Sequence, residues 1–223
     1  MAPWESLFDS DRQNHALAAD RSFDRKYGLD ASSEVQLSDV TVESSNKEFG
    51  LWYSASHVLT GRRALSSLPR DLTDFVFIDL GSGKGRMLIP AARYNFKQII
   101  GIEFAEELHE VAKSNIDAYR IMNHKNVSIT SICADVVDFA LPREKCVFYL
   151  LNPFKEQILD QVIINIHRSF VAYRRKMYLI YVNAQYRERI ERFDFLVRRK
   201  QHHSLFSIIA PDFSEVAIYE THP

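Results

Sequence analysis

The stretch Phe75-Val76-Phe77-Ile78-Asp79-Leu80-Gly81-Ser82-Gly83-Lys84-Gly85-Arg86 decides how this chain is read. It opens as an apolar run without polar alternation, the pattern of a strand buried on both faces, and passes into a loop with three glycines in five residues. The 223-residue chain holds only seven glycines, well below an average usage of about 7%, so the crowding answers a local backbone need. Glycine tolerates positive φ and lets a ligand reach the main chain with no Cβ in the way. A strand followed by such a turn is where an open α/β sheet binds its ligands. Spacing separates the ligands. A dinucleotide fingerprint counted from Gly81 and Gly83 puts Arg86 where a small residue is needed, which disfavours NAD and an oxidoreductase. A phosphate-binding Walker loop fails because Ile78 stands where its first glycine belongs and Gly85 where it needs Ser or Thr.

Outward from this stretch, similar unalternating runs at Ile99–Ile102, Val147–Leu151 and Met177–Val182 predict further buried strands, with mixed ones at Val127–Ala134, Phe195–Val197 and Val216–Tyr219. Between them, Leu108, Val111, Ala112, Ile116 and Tyr119 recur at helical spacing behind Glu106 and Glu107, and Ile158, Leu159, Val162, Ile166 and Phe170 repeat the pattern. A helix is also expected after Gly85, kinked by Pro90. Strands alternating with helices predict an α/β, doubly wound sheet. The first 70 residues differ: short amphipathic pieces, a polar stretch from Gly28 to Gly50, and a helix from Ser54 or Ser56 to Leu68, stopped by Pro69. Residues 1–70 therefore read as a helical arm or lid and residues 71–223 as the ligand-binding domain.

Composition narrows the classes. With 46% hydrophobic and 26% charged residues the chain can bury one sizeable core. The longest apolar runs fall far short of the ~18 residues of a membrane helix, and acidic residues at the N-terminus argue against a leader peptide, so a cytoplasmic location is expected. Cys133 and Cys146 are expected to be reduced. The net charge of −1 hides a basic segment over 171–203, from Arg174 and Arg175 to Lys200; it reads as solvated helix and edge-strand faces, and nothing in it supports nucleic-acid binding. His202 and His203 are adjacent and would face opposite ways on a strand, so no metal is expected.

The pattern Asp79-x-Gly81-x-Gly83-x-Gly85 resembles the class I S-adenosylmethionine-dependent methyltransferases, over roughly residues 70–220. The resemblance implies a Rossmann-like seven-stranded sheet, S-adenosylmethionine as cofactor, and Asp79, Gly81, Ser82 and Gly83 around its methionine part. Glu103, closing Ile99-Ile100-Gly101-Ile102, matches the carboxylate that takes the ribose diol, a task suited to two acceptor oxygens. Asp135 after Ile132-Cys133-Ala134 matches the adenine-reading position; an N-cap for the following turn is its other reading. Asn152-Pro153-Phe154 resembles, with one proline missing, the Asn-Pro-Pro-aromatic signature of methyltransferases acting on amino groups, where Asn152 would touch both acceptor and transferable methyl. The loop with Ile100-Gly101-Ile102-Glu103 is also similar to the non-SET histone lysine methyltransferases, and the whole chain, with Asp24-Arg25-Lys26-Tyr27-Gly28, to small bacterial methyltransferases of unassigned substrate. Neither fixes the acceptor, a small molecule or a protein side chain carrying an amino or hydroxyl group.

Orientation and exclusion of water supply much of the acceleration in such a transfer, so a base is optional. Tyr27, Glu48, Tyr53 and His57 in the arm are the candidates, with Trp52-Tyr53 expected beside the cofactor. A cofactor-binding module without catalysis is the alternative.

Overall fold

A computed structural model describes residues 17–32, 35, 40–41, 56–123, 128–151, 154–199, 202–203 and 215–222. Residues 17–27 form helix α1. There follow α2 (Val58–Ser66), β1 (Phe75–Leu80), α3 (Leu88–Ala91), β2 (Gln98–Glu103), α4 (Glu106–Asn123), β3 (Ile129–Cys133) and β4 (Lys145–Leu151). The rest of the chain gives α5 (Glu156–Ala172), β5 (Met177–Val182), α6 (Arg187–Ile190), β6 (Leu196–Arg198), β7 (His202–His203) and β8 (Glu215–Thr221).

All the apolar runs read as buried strands lie in one sheet of order β3-β2-β1-β4-β5-β8-β6. The first five strands are parallel, and β8 enters antiparallel to β5. β6 and β7 both pair with the outer edge of β8, so they occupy a single seventh position. Every residue of β1 and β5 is buried, as strands covered on both faces require. Alternate residues feed two cores. Phe77, Ile99, Val147, Tyr149 and Ile180 pack towards α2, α3 and α4, while Val76, Ile78, Phe148 and Leu179 pack towards α5 and α6. Tyr27 of α1 and Ala64, Leu65 and Leu68 at α2 belong to the first core. Packing among the described residues thus runs across residue 70. Chain order reverses between β1 and β4, which opens the crevice in which ligands of such sheets sit.

Three sequence expectations change. No long kinked helix follows Gly85: α3 is a single turn, and Pro90 is its third residue. A proline so early in a helix gives up an N–H that has no intrahelical acceptor, so it costs no bond. Helix α2 starts at Val58 rather than at Ser54 or Ser56. Its N-cap, His57, makes no side-chain cap; the Val58 N–H instead donates to Asp20 Oδ1 at 2.9 Å, so α1 supplies the cap across 38 residues of chain.

The basic segment, third, is largely paired within the fold. Arg189 reaches Glu156 and Asp160, Arg198 reaches Glu191, and Lys176 and Arg199 share Glu220. Arg175 is buried: its guanidinium donates to the carbonyls of Glu144, Ser169, Tyr173 and Pro142 at 2.6 to 2.8 Å and to Ser169 Oγ at 2.9 Å. It ties the entry of β4 to the exit of α5. Cys133 and Cys146 lie on strands separated by β2 and β1 and are not joined in a disulfide. No helix among the described residues is long and apolar enough to cross a membrane.

Arg175→Met removes the donor from four main-chain carbonyls at once. A buried polar group left unpaired costs about 1–3 kcal/mol, so the variant is expected to lose at least about 3 kcal/mol, a fall in Tm of roughly 6 °C or more. Thermal unfolding followed by circular dichroism checks this; an unchanged Tm would show that the carbonyls do not depend on Arg175.

Candidate functional site

The site grows from the end of β1. Past Leu80 the chain turns sharply: the N–H groups of Gly81 and Ser82 both donate to the Ile102 carbonyl, at 3.0 and 2.9 Å, and Gly85 N–H donates to the Ser82 carbonyl at 2.9 Å. Gly81, Gly83 and Gly85 have φ of 81, 52 and 76°. A side chain in this left-handed region costs roughly 1–2 kcal/mol per residue, so the three-glycine sequence is what allows the turn. Between the glycines, Ser82, Lys84 and Arg86 are buried.

Glu103, the last residue of β2, locks the turn in place. Its Oε2 accepts from Gly83 N–H at 2.8 Å and its Oε1 from Ala105 N–H at 3.0 Å. Gly101 permits the same approach from below: a Cβ there would lie 2.7 Å from Ser82 Oγ and 2.9 Å from Leu88 Cδ1. Ser82 Oγ itself is buried without a hydrogen-bond partner among the described residues.

Asp79 pairs in register with Gly101 on one side and Tyr149 on the other, so it faces the same core as Tyr149. Burial drives its pKa up from the ordinary carboxylate value to about 8, and the charge of Glu103 adds to the rise. Glu103 is pushed up to about 7 by burial, opposed by its main-chain hydrogen bonds. Two adjacent carboxyls are therefore held in a dry place where no cation among the described residues compensates them. Such a pair is an unsatisfied arrangement that a cationic or hydroxyl-rich ligand completes.

Asp79, Gly81, Ser82, Gly83 and Glu103 are thus gathered at one end of the sheet, as the sequence predicted. Asp135 stands beyond the neighbouring β3, where Ala134 N–H donates to the Glu103 carbonyl at 2.9 Å. Its Oδ1 accepts from Val137 N–H at 2.9 Å, so one oxygen caps the following turn. Phe154 is buried among Ile158, Leu159 and the α5 face, and its ring is committed to that core. Tyr27 is no base: it is 8% exposed and packs its ring on Tyr119 and Phe23, with centroids 5.5 and 4.8 Å away. His57 Nδ1 lies 2.7 Å from Asp20 Oδ2. Glu48, Trp52, Tyr53, Asn152 and Pro153 lie outside the described residues.

Two contributors escaped the sequence reading. Asn115 sits at a core-facing position of α4, in phase with Leu108, Ala112 and Tyr119, and its Nδ2 donates to the Lys84 carbonyl at 2.8 Å, bracing the back of the loop. A polar residue at an apolar phase was the available signal. Tyr149 Oη is 3.3 Å from Ser56 Oγ, and burial raises its pKa; nothing in the apolar run of β4 marks it out.

Comparison with known proteins agrees with this geometry. A protein family described as methyltransferase domain matches residues 78–169, from β1 to the second half of α5. No curated protein matches. Among solved structures, a putative S-adenosylmethionine-dependent methyltransferase from Listeria monocytogenes superposes with a TM-score of 0.53 at 11% identity, over 74% of this chain and 98% of that one. TrmN from Thermus thermophilus gives 0.55 at 13% identity, over 73% of this chain and 48% of that one. A predicted N6-adenine-specific DNA methylase from Listeria monocytogenes gives 0.53 at 16% identity, over 75% and 51%. At these identities the likeness is one of fold.

The raised carboxyls make stability depend on pH. Asp79 and Glu103 keep protons in the folded chain that they release in the unfolded one, so their contribution to stability is full below the ordinary carboxyl values and is lost as pH rises towards about 8. Asp79→Asn is expected to flatten that fall and to exceed the wild type in stability at pH 8 by on the order of a few kcal/mol, while the two converge at about pH 3.5. Urea unfolding at both pH values measures it; a wild-type midpoint indifferent to pH would mean that these carboxyls ionise normally.

Proposed function

We propose that this chain, whose residues 78–169 match a methyltransferase domain, is a class I S-adenosylmethionine-dependent methyltransferase in which the residues gathered beyond β1, β2 and β3 divide the cofactor among them and deliver its methyl group to an amino or hydroxyl group. The observation that carries the residue assignment is the buried, uncompensated Asp79–Glu103 pair against a main chain bared by glycine. S-adenosylmethionine offers an ammonium for Asp79 and a ribose diol for Glu103, whose carboxylate keeps acceptor capacity beyond the main-chain bonds from Gly83, Phe104 and Ala105. Gly81, Ser82 and Gly83 line the methionine part, the orphan Ser82 hydroxyl being available as a partner. Asp135 and its neighbouring main chain read the adenine edge.

Bound there, the sulfonium supplies an activated methyl group open to in-line displacement by an acceptor lone pair. The chain's own work is to orient and to keep water out. Asn152 follows β4, the strand beside Asp79, and its side-chain oxygen accepts from the acceptor's N–H or O–H so that the lone pair faces the methyl. Pro153 belongs to the same motif, and Phe154 ends it with a ring buried in the second core. Tyr53 stays in this reading as the arm's contribution to the pocket. Where the acceptor must lose a proton, His57 is the arm residue built for it, since Asp20 beside Nδ1 orients the ring. The acceptor is a small molecule or a protein side chain; with a DNA methylase among the chains that share the fold, nucleic acid belongs in the same screen.

Isothermal titration is expected to show S-adenosylhomocysteine binding and no comparable NAD binding; micromolar NAD affinity without S-adenosylhomocysteine binding would overturn the reading. Glu103→Gln should weaken the S-adenosylhomocysteine complex about tenfold or more, the worth of a charged hydrogen bond. Asn152→Ala should leave that affinity intact and lower turnover about 100-fold on an acceptor found by screening lysate fractions for methyl transfer. Cofactor affinity without methylation of any fraction would favour the non-catalytic module instead.

A further inference from the structure

The glycine loop has two faces, and only one is used by the reading above. The side chains of Lys84 and Arg86 are buried, and both meet the N-terminal arm. Arg86, 3% exposed, donates from Nη2 to Asp24 Oδ2 at 2.6 Å and to Ser32 Oγ at 2.8 Å, and from Nη1 to the Ser56 carbonyl at 3.3 Å. The Ser32 hydroxyl in turn donates to Asp24 Oδ2. Asp20 Oδ2, which also holds His57, is 3.6 Å from Arg86 Nη1. Lys84 Nζ is 3.6 Å from Asp30 Oδ1, and Asn115 bonds both the Lys84 carbonyl and the main chain of Asp30.

These groups form a charged junction joining α1, the turn after it, the start of α2 and the loop; it is buried around Arg86, Asp20 and Asp24, while Asp30 stands at its exposed rim. Both arm carboxylates that Arg86 faces, Asp20 and Asp24, are as buried as Arg86 itself. Charges so placed are held only while paired, since a lone buried charge is strongly destabilising. Undocking the arm would strand Arg86 on the loop, and distorting the loop would strand the acids on the arm. The arm has a second anchor by the Glu103 turn: Thr41 N–H donates to both oxygens of Glu107 at 2.8 and 2.9 Å, and Val40 packs on Ala105 and Leu108. Its described segments therefore hold the loop on one side and the turn after β2 on the other.

We propose that Arg86 is a positioning residue: through Asp24, Asp20 and Ser56 it couples docking of the N-terminal arm to the cofactor-binding shape of the glycine loop, so that arm and cofactor stabilise each other. The coupling rests on the cofactor assignment above. It is reciprocal by thermodynamic necessity: whatever factor the docked arm adds to cofactor affinity, bound cofactor adds to arm docking. This gives Arg86 a task in the very position where a dinucleotide fingerprint would need a small residue.

Hydrogen exchange on the full chain, with and without saturating S-adenosylhomocysteine, tests it. In the wild type the ligand is expected to slow exchange of amides within 17–32 by about fivefold or more, the usual floor of such couplings. Asp24→Asn, which keeps shape and removes one charge, is expected to bind the ligand about tenfold more weakly and, when saturated, to lose the ligand-dependent slowing. Arg86→Lys keeps the charge but cannot span Asp24, Ser32 and Ser56 together, and is expected to behave likewise. A merely structural Arg86 would lower Tm in both variants and leave the ligand-dependent slowing in place. Wild-type affinity in both variants, or arm amides indifferent to ligand in the wild type, overturns the proposal. A wild-type chain that binds no S-adenosylhomocysteine overturns the cofactor assignment itself, and is told apart from those outcomes by the titration alone.

Discussion

The N–H of Gly83 donates to the Glu103 carboxylate, 2.8 Å away, and through that bond the ends of two strands become one surface. The same carboxylate accepts from Ala105 on its own side, so β1's loop and β2's turn cannot shift independently. Ile102 adds to this by taking two N–H groups of the loop on its carbonyl. Main-chain donors that a turn of this tightness would otherwise leave exposed are thereby satisfied, and the glycines at positive φ make the path sterically open.

Holding the loop in this way puts acids where water does not reach. Glu103 is retained in a dry place because it receives main-chain hydrogen bonds, and Asp79 is retained beside it with no such help. A domain that only needed stability would place apolar side chains there, since burying an uncompensated carboxyl is costly. The strain is local and is offset by two large cores, in which β1 and β5 are buried along their whole lengths. In the function we propose the cost has a reason, because a cationic cofactor would bring the missing charge partner when it binds.

The arm takes part in the same arrangement. Asp20 shows how closely it is woven in, for one carboxylate caps α2 through Val58 and meets both His57 and Arg86. Tyr27 lies in the first core, with α2 and the sheet. An arm that only draped over the sheet would have no need of buried charge, and α1 has two buried aspartates.

Much of this was legible in the chain. Unalternating apolar runs identified the buried strands, because a strand covered on both faces has no place for polar side chains, and the glycines, Asp79 and Glu103 singled out in the sequence are brought together at one end of the sheet. Periodicity found the faces of α4 and α5 but could not say that Asn115, in phase with the apolar residues, braces Lys84. Pro90 does not kink a helix because the cost of a proline depends on its position, and it is the third residue of a single turn. The order of residues was enough for the strands and the glycine turn, which follow from local pattern and backbone sterics, while the kind of ligand came from the family resemblance of that turn. Tertiary structure alone decided that Arg86 belongs to the arm, that Asp20 caps a helix 38 residues away and that two carboxyls share one dry site, because burial and charge pairing are properties of distance in space, which the order of residues does not contain.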